Sequence, residues 1–462
     1  MKRFLTLLFT TLLLTAALCV TASASDYDTV ARDLSAIGMF RGTANGFELD
    51  RAPTRSEAAI MLVRLYGAEE KAKASYEAGE ISHPFTDVSA FTSPYVAWLY
   101  TNGITNGFTE TTFGSQRTCT VQNYVTFLLR ALGYKDGADF QYADALTFAQ
   151  EKGFYEPVMF PGTFLRDDLA AVTYQALAAD MADGKTYLLD SLVKSGAIDA
   201  KTAQTMTDKI KTYRAMQAAT KTMDENAMDV DMDVKMDMTM TAAGETMTMP
   251  TVMKGNMKML VDGENVKMAY TTTAETQGEP VKMDMWMKDG WVYMSTAMAG
   301  KQMQVKYSVE NQLDAVKNLA GIDMSAMDVS GLAMLESVTS KKAGSSTEYT
   351  VMIGEGMNSM LESVTGAMGT ETEGMDMHFG KITATYTVDS RGILKKIKMV
   401  FDASMKMELP MEDGMSLSTD VAYAYDMTMT VNDTGKSVKI TFPDFSGYQE
   451  IPMTSVGTTP AA

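Results

Sequence analysis

Gly103-Ile104-Thr105-Asn106-Gly107, followed by Phe113 and by the polar opening Thr120-Val121-Gln122-Asn123 of an apolar helix, is a pattern the chain writes three times. The earlier copy is Gly38-Met39-Phe40-Arg41-Gly42 with Phe47 and Pro53-Thr54-Arg55-Ser56-Glu57. The later, incomplete copy is Gly153-Phe154 with Phe160 and Leu165-Arg166-Asp167-Asp168. Repeats of this length mark stacked supersecondary units that share one core. Around them apolar residues fall at helical spacing: Ala59, Ile60, Leu62, Val63 and Tyr66 after a Thr54/Glu57 capping box, then Tyr124, Val125, Leu128, Leu129 and Leu132, then Leu169, Val172, Thr173 and Leu177. Residues 185–222 continue the helical pattern as a connector, interrupted at Gly196.

Composition changes near residue 223. Seven of the 42 methionines precede Met223. Beyond it the period becomes two, with Met228, Val230, Met232, Val234, Met236, Met238 and Met240 alternating with Asp229, Asp231, Asp233, Lys235, Asp237, Thr239 and Thr241. Successive strand side chains face opposite sides, so one face is apolar and the other acidic and wet. The alternation returns at 257–261, 281–287, 375–379, 405–409 and 427–431, with turn signals at Asp262-Gly263, Asp289-Gly290, Arg391-Gly392, Asp413-Gly414 and Asp433-Thr434-Gly435. This predicts an antiparallel, strongly meandering sheet with one dry face, covered by helices at 308–320 and 355–366. The expected fold class is α+β and multidomain: a helical three-repeat bundle followed by the sheet.

Lys2-Arg3, the apolar run 4–20 and Ala22-Ser23-Ala24 read as a signal peptide over 1–24, which implies secretion. Leu18 precedes Cys19 where a lipobox needs a small residue. No later stretch has the apolar length of a transmembrane helix. The formal net charge of −18 argues against nucleic acid as a partner. Past the signal segment one cysteine remains, Cys119 at a helix start, which reads as a small core residue. His378 has no nucleophile partner in the pattern. Asp231, Asp233, Asp237 and Glu245 form an acidic strip without a calcium-loop glycine. Phosphate loops, zinc spacing and nucleophile elbows are absent from the sequence. The expected class is therefore non-enzymatic, with no metal and no cofactor.

The stretch from Phe85-Thr86-Asp87-Val88 through Trp98, Gly103-Ile104, Gly107 and Phe113 resembles the S-layer homology domain of bacterial surface proteins, and Thr54-Arg55-Ser56-Glu57 resembles that family's second-helix signature. The resemblance covers residues 27–182, with repeats at about 27–67, 85–134 and 140–182. It implies non-covalent anchoring to an anionic, often pyruvylated, secondary cell-wall polysaccharide, and so a place at the cell wall. On the matching positions it implies polysaccharide contacts from Arg55, Asp87, Trp98 and Arg166. A guanidinium offers a rigid fork to a carboxylate, an aromatic face suits a sugar ring, and a helix N-terminus adds N–H donors. Other readings stay open: helix-start ion pairs for Arg55 and Arg166, a turn cap for Asp87, core packing for Trp98. Copy two has Val121 where copy one has Arg55, and copy three has Pro157 in place of the second glycine. The methionine-rich part, 223–455, resembles the LolA-like lipoprotein carriers, which implies a curved antiparallel sheet, a half-barrel covered by helices, and an alternative function as a lipid or acyl-chain binder. Core packing and copper(I) ligation are the competing readings of the methionines. Residues 456–462 read as a disordered tail.

Overall fold

The structure, a computed structural model, describes residues 27–160, 163–220, 226–242, 244–262, 265–276, 279–298, 300–309, 331–354, 375–410 and 416–451. The signal segment, the tail, the whole expected covering helix at 355–366, most of the one at 308–320 and the turns at Gly263 and Asp413-Gly414 lie outside the described residues. The described chain forms two compact units, a helical one (27–214 with 331–336) and a sheet (215–309 with 337–451).

Three helix–loop–helix repeats build the helical unit: α1 (Asp28–Ala36) with α2 (Arg55–Leu65), α4 (Ser93–Thr101) with α5 (Val121–Ala131), and α6 (Ala145–Glu151) with α7 (Arg166–Ala178); α3 (Glu69–Glu77) links the first two. The lead glycine of each copy ends its first helix. Gly38, Gly103 and Gly153 take φ of 74°, 70° and 75°, a left-handed cap that a Cβ would strain. The following N–H then reaches back in the same way each time, from Met39 to Leu34, Ile104 to Leu99 and Phe154 to Ala149. Tyr124, Leu128, Leu129, Leu62 and Tyr174 are fully buried, and the Tyr124 hydroxyl meets Thr173 Oγ1 at 2.7 Å between α5 and α7. Glu69 ties the first repeat to the second. Its carboxylate receives Arg64 Nε at 3.0 Å, Lys73 Nζ at 3.0 Å, Arg41 Nη1 at 3.2 Å and the Tyr95 hydroxyl at 2.6 Å.

The stretch read as a connector packs into this unit instead. Leu188 and Leu189 on α8 (Leu188–Lys194) and Ile210 on α9 (Gln204–Thr220) are buried. Arg214 donates to Ala178 O and pairs with Asp180 at 2.6 Å. These helices carry enough apolar surface to join a core rather than span solvent. A segment from far along the chain joins them. Leu332, Ala333, Met334 and Leu335 are buried, Gly331 lies against the Met159 thioether, and Ala333 N–H donates to Gln175 Oε1 at 3.3 Å.

Among the described residues the sheet has 13 strands. β1 (Ala227–Ala242), β2 (Glu245–Asp262), β3 (Asn265–Thr276), β4 (Glu279–Lys288), β5 (Trp291–Met298) and β6 (Lys301–Ser308) form an antiparallel meander. On the other side β1 pairs with β12 (Ser416–Thr434), which pairs with β11 (Leu394–Pro410), then β10 (Ile382–Val388), β8 (Ser346–Ile353) and β7 (Leu335–Ala343). β9 (Met375–Phe379) also pairs with β11, and β13 (Gln449–Glu450) adds to β6 in parallel. The order runs from β13 to β7 without closing, so the sheet is open. Asp289-Gly290 makes the two-residue turn expected between β4 and β5, with φ of 51° and 78°. Alternation sorts the faces as read: on β1, Val230, Val234 and Met238 are buried, while Asp231, Lys235 and Asp237 are exposed. Methionine serves as core here, as in the cluster of Met238, Met249, Met405 and Val421.

Candidate carbohydrate-binding groove

The first turn of α2 docks on the loop that closes the second repeat. Arg55 N–H donates to Arg117 O at 2.8 Å, Ser56 N–H to Ser115 O at 3.2 Å, and Cys119 N–H to Pro53 O at 2.9 Å. Asp87 holds that loop: its carboxylate accepts the N–H groups of Phe113, Gly114 and Ser115 at 2.7, 2.8 and 3.0 Å. Although partial burial pushes the other way, these three bonds keep the Asp87 carboxyl below its ordinary pKa. Phe85 fixes the same loop from beneath, where a Cβ at Gly107 would stand 2.3 Å from its ring.

Phe113 thus becomes the floor under Arg55, whose guanidinium carbon lies 4.9 Å from the ring centre. Arg55 Nη2 approaches Thr105 Oγ1 at 3.4 Å. Arg55 Nε is buried without a hydrogen-bond partner, and so is Ser115 Oγ of the docking loop. Burial lowers the Arg55 pKa from its ordinary value, and the neighbouring positive charge of Arg117 pulls the same way. Arg117 stacks on Phe108 at 3.9 Å, and Phe108 is 56 % exposed. The residues of this rim that motif reading passed over are Thr105, Phe108 and Arg117. The spacing Phe47–Arg51, repeated in Phe113–Arg117, was the available signal for Arg117.

The expected site residues do not converge. Trp98 packs on Tyr66 with ring centres 5.4 Å apart, and Tyr66 follows the last residue of α2, about 16 Å of helix from Arg55. Asp87 spends its oxygens on its own loop. Arg166 is 3 % exposed, donates through Nε to Phe47 O at 2.9 Å, and pairs through Nη1 with Glu57 at 2.6 Å. The free helix N–H donors expected at the signature are also absent at α2, because the docking loop's carbonyls take those of Arg55 and Ser56 and the Thr54 hydroxyl takes that of Glu57.

Other reactive candidates are quiet. Cys119 is 2 % exposed, and burial pushes its thiol up to about 12 despite nearby Arg55. His378 is exposed on β9. Asp231 binds Asn256 at 2.8 Å, and no trio of metal-ligating side chains gathers among the described residues. On the sheet, a depression of about 480 Å³ is lined by Asp231, Asp233, Lys254, Lys282 and threonines of its polar face.

The S-layer homology domain family matches residues 84–120. The middle cell wall protein of Brevibacillus brevis is 32% identical over 114 residues, 24% of this chain and 10% of that protein. The surface layer protein of Brevibacillus choshinensis is 34% identical over 105 residues, 22% of this chain and 9% of that protein. The chain thus spans about a tenth of the length of these relatives. Among solved structures, a DUF1329 family protein from Desulfovibrio piger is similar over 48% of this chain and 90% of its own, with 10% identity and a TM-score of 0.16. The ywiB protein from Bacillus subtilis gives 12% identity and a TM-score of 0.12, over 43% of this chain and 93% of its own. The chain carries an S-layer homology domain at residues 84–120 and is a secreted cell-surface protein.

Proposed function

We propose that the helical unit tethers the chain non-covalently to an anionic secondary cell-wall polysaccharide, through the groove between the α2 start and the 113–117 loop, and that the protein performs no catalysis. One observation carries the reading: Arg55 is a half-buried guanidinium with an unpartnered Nε and no ion pair among the described residues. Leaving such a donor unmet costs about 1–3 kcal/mol, a cost that an acidic sugar substituent removes. Of the residues implied by family resemblance, Arg55 is the ligand contact, Asp87 positions its floor, and Arg166 is neutralised internally. A pyruvyl ketal supplies the matching carboxylate. The test is sedimentation of the full chain with purified sacculi, before and after mild acid removal of pyruvyl groups. Binding is expected to fall at least tenfold after treatment; equal binding to both preparations refutes the carboxylate, and no binding to either refutes the tether.

A second reading, an acyl-chain binder, draws on the adaptable methionine face of the open sheet. Native mass spectrometry of the purified chain is expected to show added lipid mass if it holds. A single apo mass after expression with the host's lipids present removes it.

A further inference from the structure

The helical unit contains two versions of one dock. Sixty-six positions apart, Phe47, Glu48, Arg51 and Glu57 of the first repeat correspond to Phe113, Gly114, Arg117 and Asn123 of the second. The backbone obeys the same correspondence. Arg166 N–H donates to Arg51 O at 2.9 Å as Arg55 N–H does to Arg117 O at 2.8 Å, and Asp167 N–H donates to Leu49 O as Ser56 N–H does to Ser115 O.

In the dock at α7 a carboxylate fills the middle. Glu57 Oε1 receives Arg166 Nη1 and Arg51 Nη2, each at 2.6 Å, and Oε2 receives Arg51 Nη1 at 3.0 Å. Glu48 adds a contact to Arg51 at 3.2 Å. In the dock at α2 both acids are gone, replaced by Asn123 and Gly114, while both guanidiniums remain. Arg55 and Arg117 have no ion pair among the described residues, and Arg117 rests on the Phe108 face at 3.9 Å. Asn123 Oδ1 accepts the Tyr142 hydroxyl at 2.9 Å rather than facing a cation. Two like charges kept side by side without an anion repel each other, and the neighbouring dock displays the group that settles them.

We propose that Arg55 and Arg117 form a clamp for one carboxylate of the wall polysaccharide, in the seat that Glu57 fills in the other dock, with Phe108 positioning Arg117. This rests on the groove being the wall-binding site. Glu57 shows such a seat within the chain itself, its oxygens taking one guanidinium N–H from Arg166 and two from Arg51. The second dock is self-occupied, so the tether has one working seat here rather than two.

The test uses the full chain and sacculi bearing native polysaccharide. Asn123→Glu installs the missing carboxylate and is expected to weaken binding at least tenfold. Its unfolding temperature should hold or rise, because the new glutamate completes with Thr120 the same capping box that Thr54 and Glu57 form. Loss of a ligand contact by damage would lower both. Arg117→Gln is expected to weaken binding about tenfold, and with Arg55→Ala in a double-mutant cycle the combined loss should fall well short of the product of the single losses. Phe108→Ala should weaken binding severalfold, with Phe108→Tyr restoring it. Undiminished binding by Asn123→Glu, or losses at Arg55 and Arg117 that multiply independently, overturns the shared clamp while leaving the tether in place. Undiminished binding by Arg55→Ala removes the groove itself.

Discussion

Glu57→Ala lowers the stability of the helical unit by about 3–5 kcal/mol, a loss to be read from urea unfolding followed by circular dichroism at 222 nm. Three supports go together. The capping box at α2 opens, since Thr54 N–H loses Glu57 Oε2 at 2.8 Å, which costs about 1 kcal/mol. Arg51 loses its principal partner at 2.6 Å. Arg166, whose side chain is 4% exposed, is left as a buried charge without its carboxylate, and breaking a buried pair from one side is the expensive case. Glu57→Gln keeps the length without the charge and should fall between. The acid response follows from the same contacts. Burial alone raises the Glu57 carboxyl, but Arg51, Thr54 and Arg166 together hold it below the ordinary 4.5. Glu69, despite its own burial, is held down to about 2 by Tyr95, Arg64 and Lys73. Groups lowered on folding contribute stability that is complete above about pH 4.5 and is lost as pH falls through the folded values. The unfolding midpoint should fall from about pH 4.5 toward about pH 2, with a shallower fall in Glu57→Ala. An acid limb identical in the two proteins would contradict the Glu57 share.

Arg55→Ala weakens sedimentation with native sacculi by roughly thirtyfold or more, whereas Val121→Ala stays within about twofold. A bidentate guanidinium–carboxylate contact is worth about 2–3 kcal/mol when partly desolvated. Arg55 meets that condition, half-buried over Phe113 with Nε unpartnered. Val121 occupies the equivalent position at the start of α5 but has no charge to offer. Folding should be spared in Arg55→Ala, because the side chain donates only to Thr105 at 3.4 Å and the docking bond comes from its backbone. Equal losses from the two variants would count against this groove. Arg55→Lys should recover only part of the affinity, since an ammonium lacks the planar fork and the stack on Phe113.

Much of this was legible in the chain. The lead glycines announced a repeat, and the structure shows each of them closing a helix in the left-handed conformation. Thr54 and Glu57 announced a capping box, and Asp289-Gly290 a tight hairpin. The methionine alternation announced a strand because period two is geometric and tolerates any apolar side chain. The helices after 185 misled, since a short amphipathic pattern states that one face is buried without stating against what; here the partners are α7, Ala178 and Asp180. Residues 331–336 carried no signal of belonging with the helical unit, because that pairing spans more than a hundred residues.

What the sequence by itself determined is the division into a repeat-built helical part and a methionine-patterned sheet, the family resemblance, and Arg55 as a cation at a helix start. The division and the helix start are consequences of local periodicity and backbone geometry, and the resemblance rests on matching residues. Only the tertiary structure decided which cations are free. Arg55 and Arg166 stand in equivalent positions, yet Glu57 reaches Arg166 at 2.6 Å and, among the described residues, nothing acidic reaches Arg55. A charge is neutralised by whatever the fold brings within hydrogen-bond range, and Glu57 and Arg166 are 109 residues apart in the chain.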